Sequence, residues 1–218
     1  MRATEFTETS CPRTKAKECS CSKVKSITES KETVIAQCEL EHSDTVKGTI
    51  LFIQAPGTNT LIKGQVTGLT PGDHGFHIHE FGDMSKGCDS MGGHYNPDSK
   101  DHGDEENGHV GDLGNINADE NGVAEVNKVS KYVDLIGDRS VVGRGVVVHK
   151  DPDDLGQGGD AESLKTGNAG ERLACGVITL RGDSTKIRTE LGWKPKYTFK
   201  EMMEEMADYW LDYFGKNK

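Results

Sequence analysis

Apolar and polar residues alternate in short runs from residue 33 onward, and Gly, Asn, Asp and Pro separate these runs. Alternation with a period of two places successive side chains on opposite faces of a strand, so each run predicts a half-buried β-strand. The predicted strands are 33–40, 45–54, 60–67, 75–80, 114–119, 123–128, 145–150 and 174–180. Many short strands joined by Gly-rich turns predict an all-β sandwich or barrel.

The pair Asn121-Gly122 marks one hairpin directly. It lies between the predicted strands 114–119 and 123–128. A two-residue type I′ turn requires positive φ at both central positions, and Asn and Gly adopt positive φ most readily. The sequence therefore predicts a type I′ turn at this point.

Two segments fall outside the alternating pattern. Residues 1–32 are rich in Thr, Ser, Lys and Glu and have few apolar side chains, so they cannot bury enough surface to offset the entropy lost on ordering. They are predicted to form a disordered arm. Residues 181–218 differ sharply, since they contain both tryptophans and seven of the 13 aromatic residues of the chain.

Residues 181–218 predict a short helical tail. Asp183 can cap a first helix that Gly192 ends, and Pro195 separates it from a second helix. Thr198-Phe199-Lys200-Glu201 is a capping box at the start of the second. Six apolar residues then share one helical face: Phe199, Met202, Met203, Met206, Trp210 and Tyr213. The predicted organisation is an arm, a β-domain and a tail: 1–32, 33–180 and 181–218.

Composition and charge limit which classes of partner and which cellular compartment are expected. The formal net charge is −10 and the isoelectric point is near 5.3, whereas binding to nucleic acid or an anionic membrane needs clustered Lys and Arg. Neither partner is expected. No stretch approaches the ~20 apolar residues of a membrane span, and the N-terminus lacks the apolar run of a secretion signal. Glutamates among its basic residues argue against a transit peptide, so the sequence predicts a cytoplasmic protein.

Metal-ligand residues are concentrated after Gly75. Five histidines, followed by Asp112, lie there: His77, His79, His94, His102 and His109. His77 and His79 are two residues apart on a predicted strand, so their imidazoles lie on one face and can bind one ion. The others lie in about 33 residues rich in Gly, Asp and Asn, too polar and interrupted for a strand or helix. Zinc and copper accept these ligand types, so the cluster predicts a metal site that orders a long loop.

Four motifs together resemble the Cu/Zn superoxide dismutase family. They are Gly75-Phe76-His77-Ile78-His79-Glu80-Phe81-Gly82-Asp83, Gly111-Asp112-Leu113-Gly114-Asn115, Val148-His149 and Gly167-Asn168-Ala169-Gly170-Glu171-Arg172-Leu173-Ala174-Cys175-Gly176-Val177. The resemblance covers residues 33–180 in the right order. It implies an eight-stranded Greek-key β-sandwich or barrel with a long metal-binding loop and a long electrostatic loop.

The resemblance also implies the ligands of two ions, copper and zinc. The copper ligands would be His77, His79, His94 and His149. His94 would be shared with zinc, whose other ligands would be His102, His109 and Asp112. Asp153 matches a carboxylate that would hydrogen-bond His77 and His102 and fix their orientation. Cys88 and Cys175 would form a disulfide.

The implied reaction is the dismutation of superoxide to dioxygen and hydrogen peroxide by alternate reduction and oxidation of histidine-bound copper. His94 would take up a proton and return it to the peroxide, Arg172 would dock the anion beside the copper, and Lys165 would lie further out. Family members often carry a lysine two residues after the last copper histidine, whereas this chain has Asp151 there. Lys150 is one residue away, and the sequence leaves open whether it takes over that role.

The resemblance further implies partners. A homodimer would place Gly82, Val142, Gly143, Val177 and Leu180 at its two-fold interface. Cys19-Ser20-Cys21 could bind Cu(I) and is similar to a motif in the copper chaperone for superoxide dismutase, which makes a copper chaperone a candidate partner. It also makes a non-catalytic copper-binding module the alternative to the enzyme. The complete ligand set and the docking arginine favour the enzyme.

The tail has a resemblance of its own. Gly182-Asp183-Ser184-Thr185-Lys186, Glu190-Leu191-Gly192-Trp193-Lys194-Pro195 and Phe199-Lys200-Glu201-Met202 are similar to the C-terminal end of GDP-mannose 4,6-dehydratases. The chain lacks the glycine-rich nucleotide-binding turn and the Tyr-x-x-x-Lys pair of such enzymes, so a dehydratase remnant explains only the tail. The tail is too short for a core of its own and must pack on the sandwich, bind a partner or stay partly disordered.

Overall fold

The computed structural model describes residues 32–41 and 43–182. The predictions made for the N-terminal arm, for Cys19-Ser20-Cys21 and for the helical tail lie outside these residues.

The described residues form ten β-strands and almost no helix. The strands are β1 Val34–Leu40, β2 Lys47–Gln54, β3 Thr60–Thr67, β4 Gly72–His79, β5 Ser85–Cys88, β6 Asp112–Ala118, β7 Val123–Ser130, β8 Gly145–His149, β9 Arg172–Val177 and β10 Thr179–Leu180. A 3₁₀ turn, Asp89–Met91, and one α-helical turn, α1 Ser163–Thr166, complete the elements. Within these residues no helix is long and apolar enough to cross a bilayer. The prediction of an all-β domain is confirmed.

Nine strands form one antiparallel sheet in the order β10-β1-β2-β3-β7-β6-β4-β8-β9. Strand β3 is paired with β7 instead of β4, and β4 lies between β6 and β8, so the connections 68–71 and 131–144 pass over other strands as in a Greek key. Strand β10 follows β9 in the chain and pairs with β1, where Ala36 lies opposite Leu180. The sheet therefore closes almost completely into a barrel, which leaves few strand edges unpaired.

The last predicted strand, 174–180, is two strands in the structure. The Ile178 amide donates to the Arg144 carbonyl at 2.9 Å, and the Gly143 amide donates to the Ile178 carbonyl at 2.8 Å. These two bonds take Ile178 out of the ladder with β8 and turn the chain toward β1. Together with β5, this break raises the number of strands above the eight predicted.

The Asn121-Gly122 hairpin forms, but its predicted turn type is wrong. Gly122 has a φ of 75°, whereas Asn121 is not among the residues with positive φ. The Gly122 amide donates to the Asp119 carbonyl, and the Asp119 carboxylate accepts the amides of Asn121 and Val123, all at 2.9 Å. The turn is thus a three-residue loop that ends in a left-handed glycine, because the aspartate favours ordinary turn geometry before it.

The barrel core positions the histidines of β4. Phe76 and Ile78 are fully buried in the main apolar cluster, and burying each stabilises the fold by about 1.5–3 kcal/mol relative to leaving it exposed. His77 and His79 alternate with them and therefore lie on the opposite face of the strand, where they are also buried. Loops cover that face, and the site forms between the strand and the loops.

One covalent link ties the long loop after β4 to the barrel. Cys88, at the end of β5, forms a disulfide with Cys175 on β9, and their Cα atoms lie 5.7 Å apart. The bridge closes a separation of 87 residues, which on a chain-entropy argument stabilises the fold by roughly 4–5 kcal/mol as an upper value. The predicted disulfide is present.

Candidate metal centre

Strands β4 and β8 bring three histidines together. The strands are antiparallel neighbours, with His77 opposite Val147 and His79 opposite Gly145. His149 ends β8, and its Nε2 atom lies 3.4 Å from Nε2 of His79. The register of β4 with β6 shifts between Gly75 and His77, and that of β8 with β9 shifts between Val148 and His149. Such irregularities commonly re-aim side chains at functional sites.

The loop between β4 and β6 adds the remaining histidines. His94 forms an isolated β-bridge with His79, and next to it the Tyr95 amide donates to the Ile78 carbonyl at 2.8 Å. Gly111 closes the loop against the same strand, where a Cβ atom would collide with the Ile78 carbonyl. The loop is more regular than predicted, since it contains β5 and the 3₁₀ turn. Its regular part lies beside the disulfide, which composition alone does not reveal.

Asp112, the first residue of β6, gathers the imidazoles of this loop. Its Oδ1 atom lies 2.8 Å from His94 Nδ1 and 3.2 Å from His109 Nδ1. Its Oδ2 atom lies 3.0 Å from His102 Nδ1. This contact does not have the geometry of a hydrogen bond, and His102 Nδ1 has no hydrogen-bond partner among the described residues. Three Nδ1 atoms thus converge on one buried carboxylate.

Two groups of potential ligand atoms result, each with its atoms within 4.8 Å of one another. The first matches the predicted copper set: His77, His79, His94 and His149. The second contains His77, His94, His102 and Asp112, so it includes His77 where the predicted zinc set has His109. His109 nevertheless lies beside this group through its contact with Asp112. His94 belongs to both groups, as the prediction of a shared ligand requires.

The donor atoms fit metal ions. Three buried imidazole nitrogens have no hydrogen-bond partner in residues 32–41 and 43–182: His77 Nδ1, His94 Nε2 and His102 Nδ1. The other ring nitrogen of each histidine lies 2.8 Å from a carboxylate oxygen of Asp153 or Asp112. Buried polar atoms are rarely left unpaired, and the free nitrogens belong to the two ligand groups. A cation at each group satisfies all of them.

Burial keeps the histidines of the first group neutral. Burial and the nearby His94 lower the pKa of His77 to about 3. Burial, opposed in part by the Gly170 carbonyl, lowers the pKa of His149 to about 4. Burial likewise lowers the pKa of His79 and His94. A neutral imidazole offers the lone pair that a metal ion needs, so this environment favours metal binding.

The second group carries compensating negative charge. Burial opposes ionisation of Asp112, but contacts with His102, His109 and His94 outweigh it and hold the pKa of this carboxyl far below its usual range. Burial alone would lower the pKa of His102, yet its contacts with Asp112 and Asp153 raise it to about 9. An ionised carboxylate in a buried site needs an opposite charge nearby, and a divalent cation provides it.

Asp153 belongs to neither ligand group but contacts a histidine that belongs to the first and one that belongs to the second. Its Oδ2 atom lies 2.8 Å from His77 Nε2 and its Oδ1 atom lies 2.8 Å from His102 Nε2, with all three side chains buried. Asn115 holds the backbone of Asp153, because it accepts from the Asp153 amide at 2.7 Å and donates to the Asp153 carbonyl at 2.9 Å. Gly167 packs so closely that a Cβ atom there would collide with Asp153 Oδ1.

Comparison with known proteins identifies the family. A family model described as copper/zinc superoxide dismutase (SODC) matches residues 46–178. The chain belongs to the copper/zinc superoxide dismutase family. Superoxide dismutase [Cu-Zn] A of Xenopus laevis is 53% identical over 147 residues, which cover 66% of this chain and 97% of that protein. The crystal structure of the clock protein EA4 is similar with a TM-score of 0.65 and 45% identity, covering 67% of this chain and 94% of that one.

Family membership gives copper and zinc as the metals of the two ligand groups. In this superoxide dismutase fold a pocket opens onto the first group. Its walls include the predicted docking residue and the outer lysine, Arg172 and Lys165, together with Glu162. A larger concavity of about 600 Å³ on β1, β2 and β3 is lined by Glu39 and Lys47 among others and contains no histidine.

Backbone carbonyls anchor Arg172 in the superoxide dismutase pocket. Its Nη1 atom donates to the Cys88 carbonyl at 2.7 Å and its Nη2 atom donates to the Gly92 carbonyl at 2.6 Å. The side chain is partly buried, and burial lowers the pKa of Arg172, which stays cationic because a guanidinium is not deprotonated in proteins. Sequence reasoning missed these anchors and the role of Asn115. Backbone acceptors leave no signal in residue types, whereas Asn115 at least lies in a recognised motif.

Proposed function

We propose that this chain is a copper/zinc superoxide dismutase, which converts superoxide to dioxygen and hydrogen peroxide. The proposed copper ligands are His77, His79, His94 and His149, and the proposed zinc ligands are His94, His102, His109 and Asp112. The observation that carries this proposal is the position of His94. Its Nδ1 atom contacts Asp112, while its buried Nε2 atom is unpaired among the described residues and belongs with the histidines of β4 and β8.

Copper held by the first ligand group would supply the one-electron redox chemistry of the reaction, and zinc held by the second, which has no redox chemistry, would order the loop. The side chains bind the superoxide anion, orient the metal ligands and supply a proton to the product. Arg172 has five N–H donors, and within residues 32–41 and 43–182 the Cys88 and Gly92 carbonyls occupy two of them, which leaves the others for an anion in the pocket.

His94 is the proposed proton carrier. Each hydrogen peroxide molecule requires two protons, and His94 Nε2 can hold one of them when that nitrogen is free. His94 lines the pocket beside Arg172, so the proton is held close to the docked anion. The second proton comes from solvent through the pocket.

Asp153 is proposed to set the orientation of two ligands. When His77 and His102 each donate Nε2–H to this carboxylate, the lone pair of each ring remains on Nδ1. Those Nδ1 atoms are the ones without another partner in the described part of the chain. The carboxylate therefore fixes the tautomer that each metal requires.

The function is tested on the full-length protein loaded with both metals. We expect one copper and one zinc per chain by elemental analysis, and rapid superoxide consumption that disappears on metal removal and returns with copper and zinc. A folded protein that binds copper but consumes no superoxide would support the alternative, a non-catalytic copper-binding module.

We further propose a homodimer, with Gly82, Val142, Gly143, Val177 and Leu180 at the interface. Gly82 packs so closely on its neighbours that a Cβ atom would collide with the Gly143 carbonyl and lie 2.9 Å from a Val177 methyl group. Phe81, next to Gly82 in the chain, is 50% exposed, and Leu180 of the proposed interface is 58% exposed. A homodimer with this interface would cover apolar surface that is otherwise exposed. A cytoplasmic location and a copper chaperone as a partner complete the proposal.

The tail is proposed to be a helical segment, similar to the end of a GDP-mannose dehydratase, that takes no part in catalysis. Deleting residues 183–218 is expected to leave metal content and specific activity unchanged, because all proposed ligands, the disulfide and Arg172 precede the deletion. It also keeps the bond from the Arg181 amide to the Ile35 carbonyl. Sedimentation of both proteins measures the oligomeric state. Loss of metal from a folded truncated protein would show that the tail supports the site.

A further inference from the structure

A cross-strand ion pair lies beside the pocket and has no role in the reaction described above. Lys150 Nζ lies 3.2 Å from Glu171 Oε2, and both side chains are mostly exposed. Lys150 directly follows His149, and Glu171 directly precedes Arg172. The Lys150 amide donates to the Glu171 carbonyl at 2.8 Å, so the backbone holds the two residues opposite each other.

Side chains of both charge signs surround the pocket. Arg172 and Lys165 line it, and so does Glu162. Asp151 lies next to Lys150 and packs against Gly170, which also lines the pocket. An anion must approach this region although the chain carries a net charge of −10. Each unpaired positive charge near the pocket therefore matters for capture.

We propose that Glu171 limits the capture of superoxide by neutralising Lys150. A single charge acts on an anion across a Debye length of about 8–10 Å, whereas a lysine and a carboxylate in contact form a dipole whose field falls off much faster. Arg172 and Lys165 are then the side chains that attract the anion. Lys150 does not replace the lysine that family members often carry at the position of Asp151. The proposal rests on the proposed dismutase function. It identifies Glu171 as a residue that sets the rate of substrate capture.

The pair can be altered without disturbing the fold. Both side chains are exposed, and ion pairs of this kind contribute little to stability. Glu171→Gln keeps the shape of the side chain and removes its charge. Lys150→Gln leaves Glu171 uncompensated, and the double variant removes both charges.

The matched control is Glu120→Gln, which changes the net charge by the same amount. Glu120 is exposed in the turn after β6. Asp112 begins that strand and Ala118 ends it, so at ~3.4 Å per residue the turn lies about 20 Å from the metal-binding end.

The first measurement is the second-order rate constant of superoxide decay, per bound copper, by pulse radiolysis. At low ionic strength we expect Glu171→Gln to be about two-fold faster than the parent and Lys150→Gln about two-fold slower, because each leaves one unpaired charge near the pocket. The double variant should return toward the parent rate. All differences should vanish near 1 M salt, where the Debye length falls to about 3 Å.

The second measurement is the affinity for azide, an unreactive monoanion, by spectroscopic titration of the copper-loaded protein. We expect tighter binding in Glu171→Gln and weaker binding in Lys150→Gln. If Glu171→Gln behaves as Glu120→Gln does in both measurements, the proposal is overturned. If azide affinities follow the expected order but no variant, nor the parent, consumes superoxide, the effect of Glu171 on anion binding stands and the proposed dismutase function fails.

Discussion

Replacing His149 by alanine is expected to abolish dismutation while zinc remains bound. His149 belongs to the first ligand group and not to the group around Asp112. Removing even a hydrogen-bonding partner of a metal ligand costs about 10–100-fold in affinity or activity, so losing a ligand should lower the rate at least about 100-fold. Elemental analysis and superoxide consumption of the purified variant measure both effects.

His109→Ala is the matched control, since it removes an imidazole from the other side of His94. We expect this variant to lose zinc and keep copper. The control also separates the proposed zinc set from the geometric group that contains His77 instead of His109. Full activity in His149→Ala would require another copper site, and unchanged zinc affinity in His109→Ala would remove that residue from the zinc ligands.

Reversing the charge of Arg172 should have the second-largest effect. Arg172→Glu is expected to keep both metals, because Arg172 belongs to neither ligand group. Its activity should fall by at least about ten-fold, since a docking cation becomes a repelling carboxylate beside the pocket. Stopped-flow or pulse-radiolysis rates, with metal content measured on the same samples, test this expectation.

Arg172→Lys separates the effect of the positive charge from the effect of the guanidinium shape. It keeps the positive charge but loses the planar group that donates to both the Cys88 and Gly92 carbonyls. An intermediate rate that responds strongly to ionic strength is expected. If Arg172→Glu consumes superoxide at the parental rate, the anion does not dock at this residue.

The alternation of apolar and polar residues predicted a strand well where the strand keeps the same hydrogen-bonded partner strands along its length. Predicted strand 60–67 matches β3 Thr60–Thr67 in full, because the buried residues Thr60, Ile62 and Val66 all lie on one face of the strand. The prediction of one continuous strand over 174–180 was wrong, since the chain changes hydrogen-bond partners at Ile178. The pattern of side chains cannot reveal such a change of partner. The hairpin at Asn121-Gly122 was also right in place and wrong in type, because the Asp119 carboxylate determines the local geometry.

The composition of the candidate site followed from residue types and motifs. Histidine and aspartate are recognisable as ligands, and the H-x-H spacing on β4 predicted two imidazoles on one face. The contact of Asp153 with His77 and His102 was also expected, from the family resemblance. What did not follow is that both contacts use Nε2, and that Asn115 holds the backbone of Asp153.

The sequence by itself determined that this chain forms a β-barrel with a histidine-rich centre, because periodicity and ligand chemistry are properties of the residues. Only the tertiary structure decided how those residues act together. The pairing of β8 with β9 places His149 opposite Arg172 and Lys150 beside Glu171. Whether Lys150 attracts an anion depends on that contact, since a nearby carboxylate cancels its field. Charge is encoded in the chain, but its effect depends on distances that folding alone establishes.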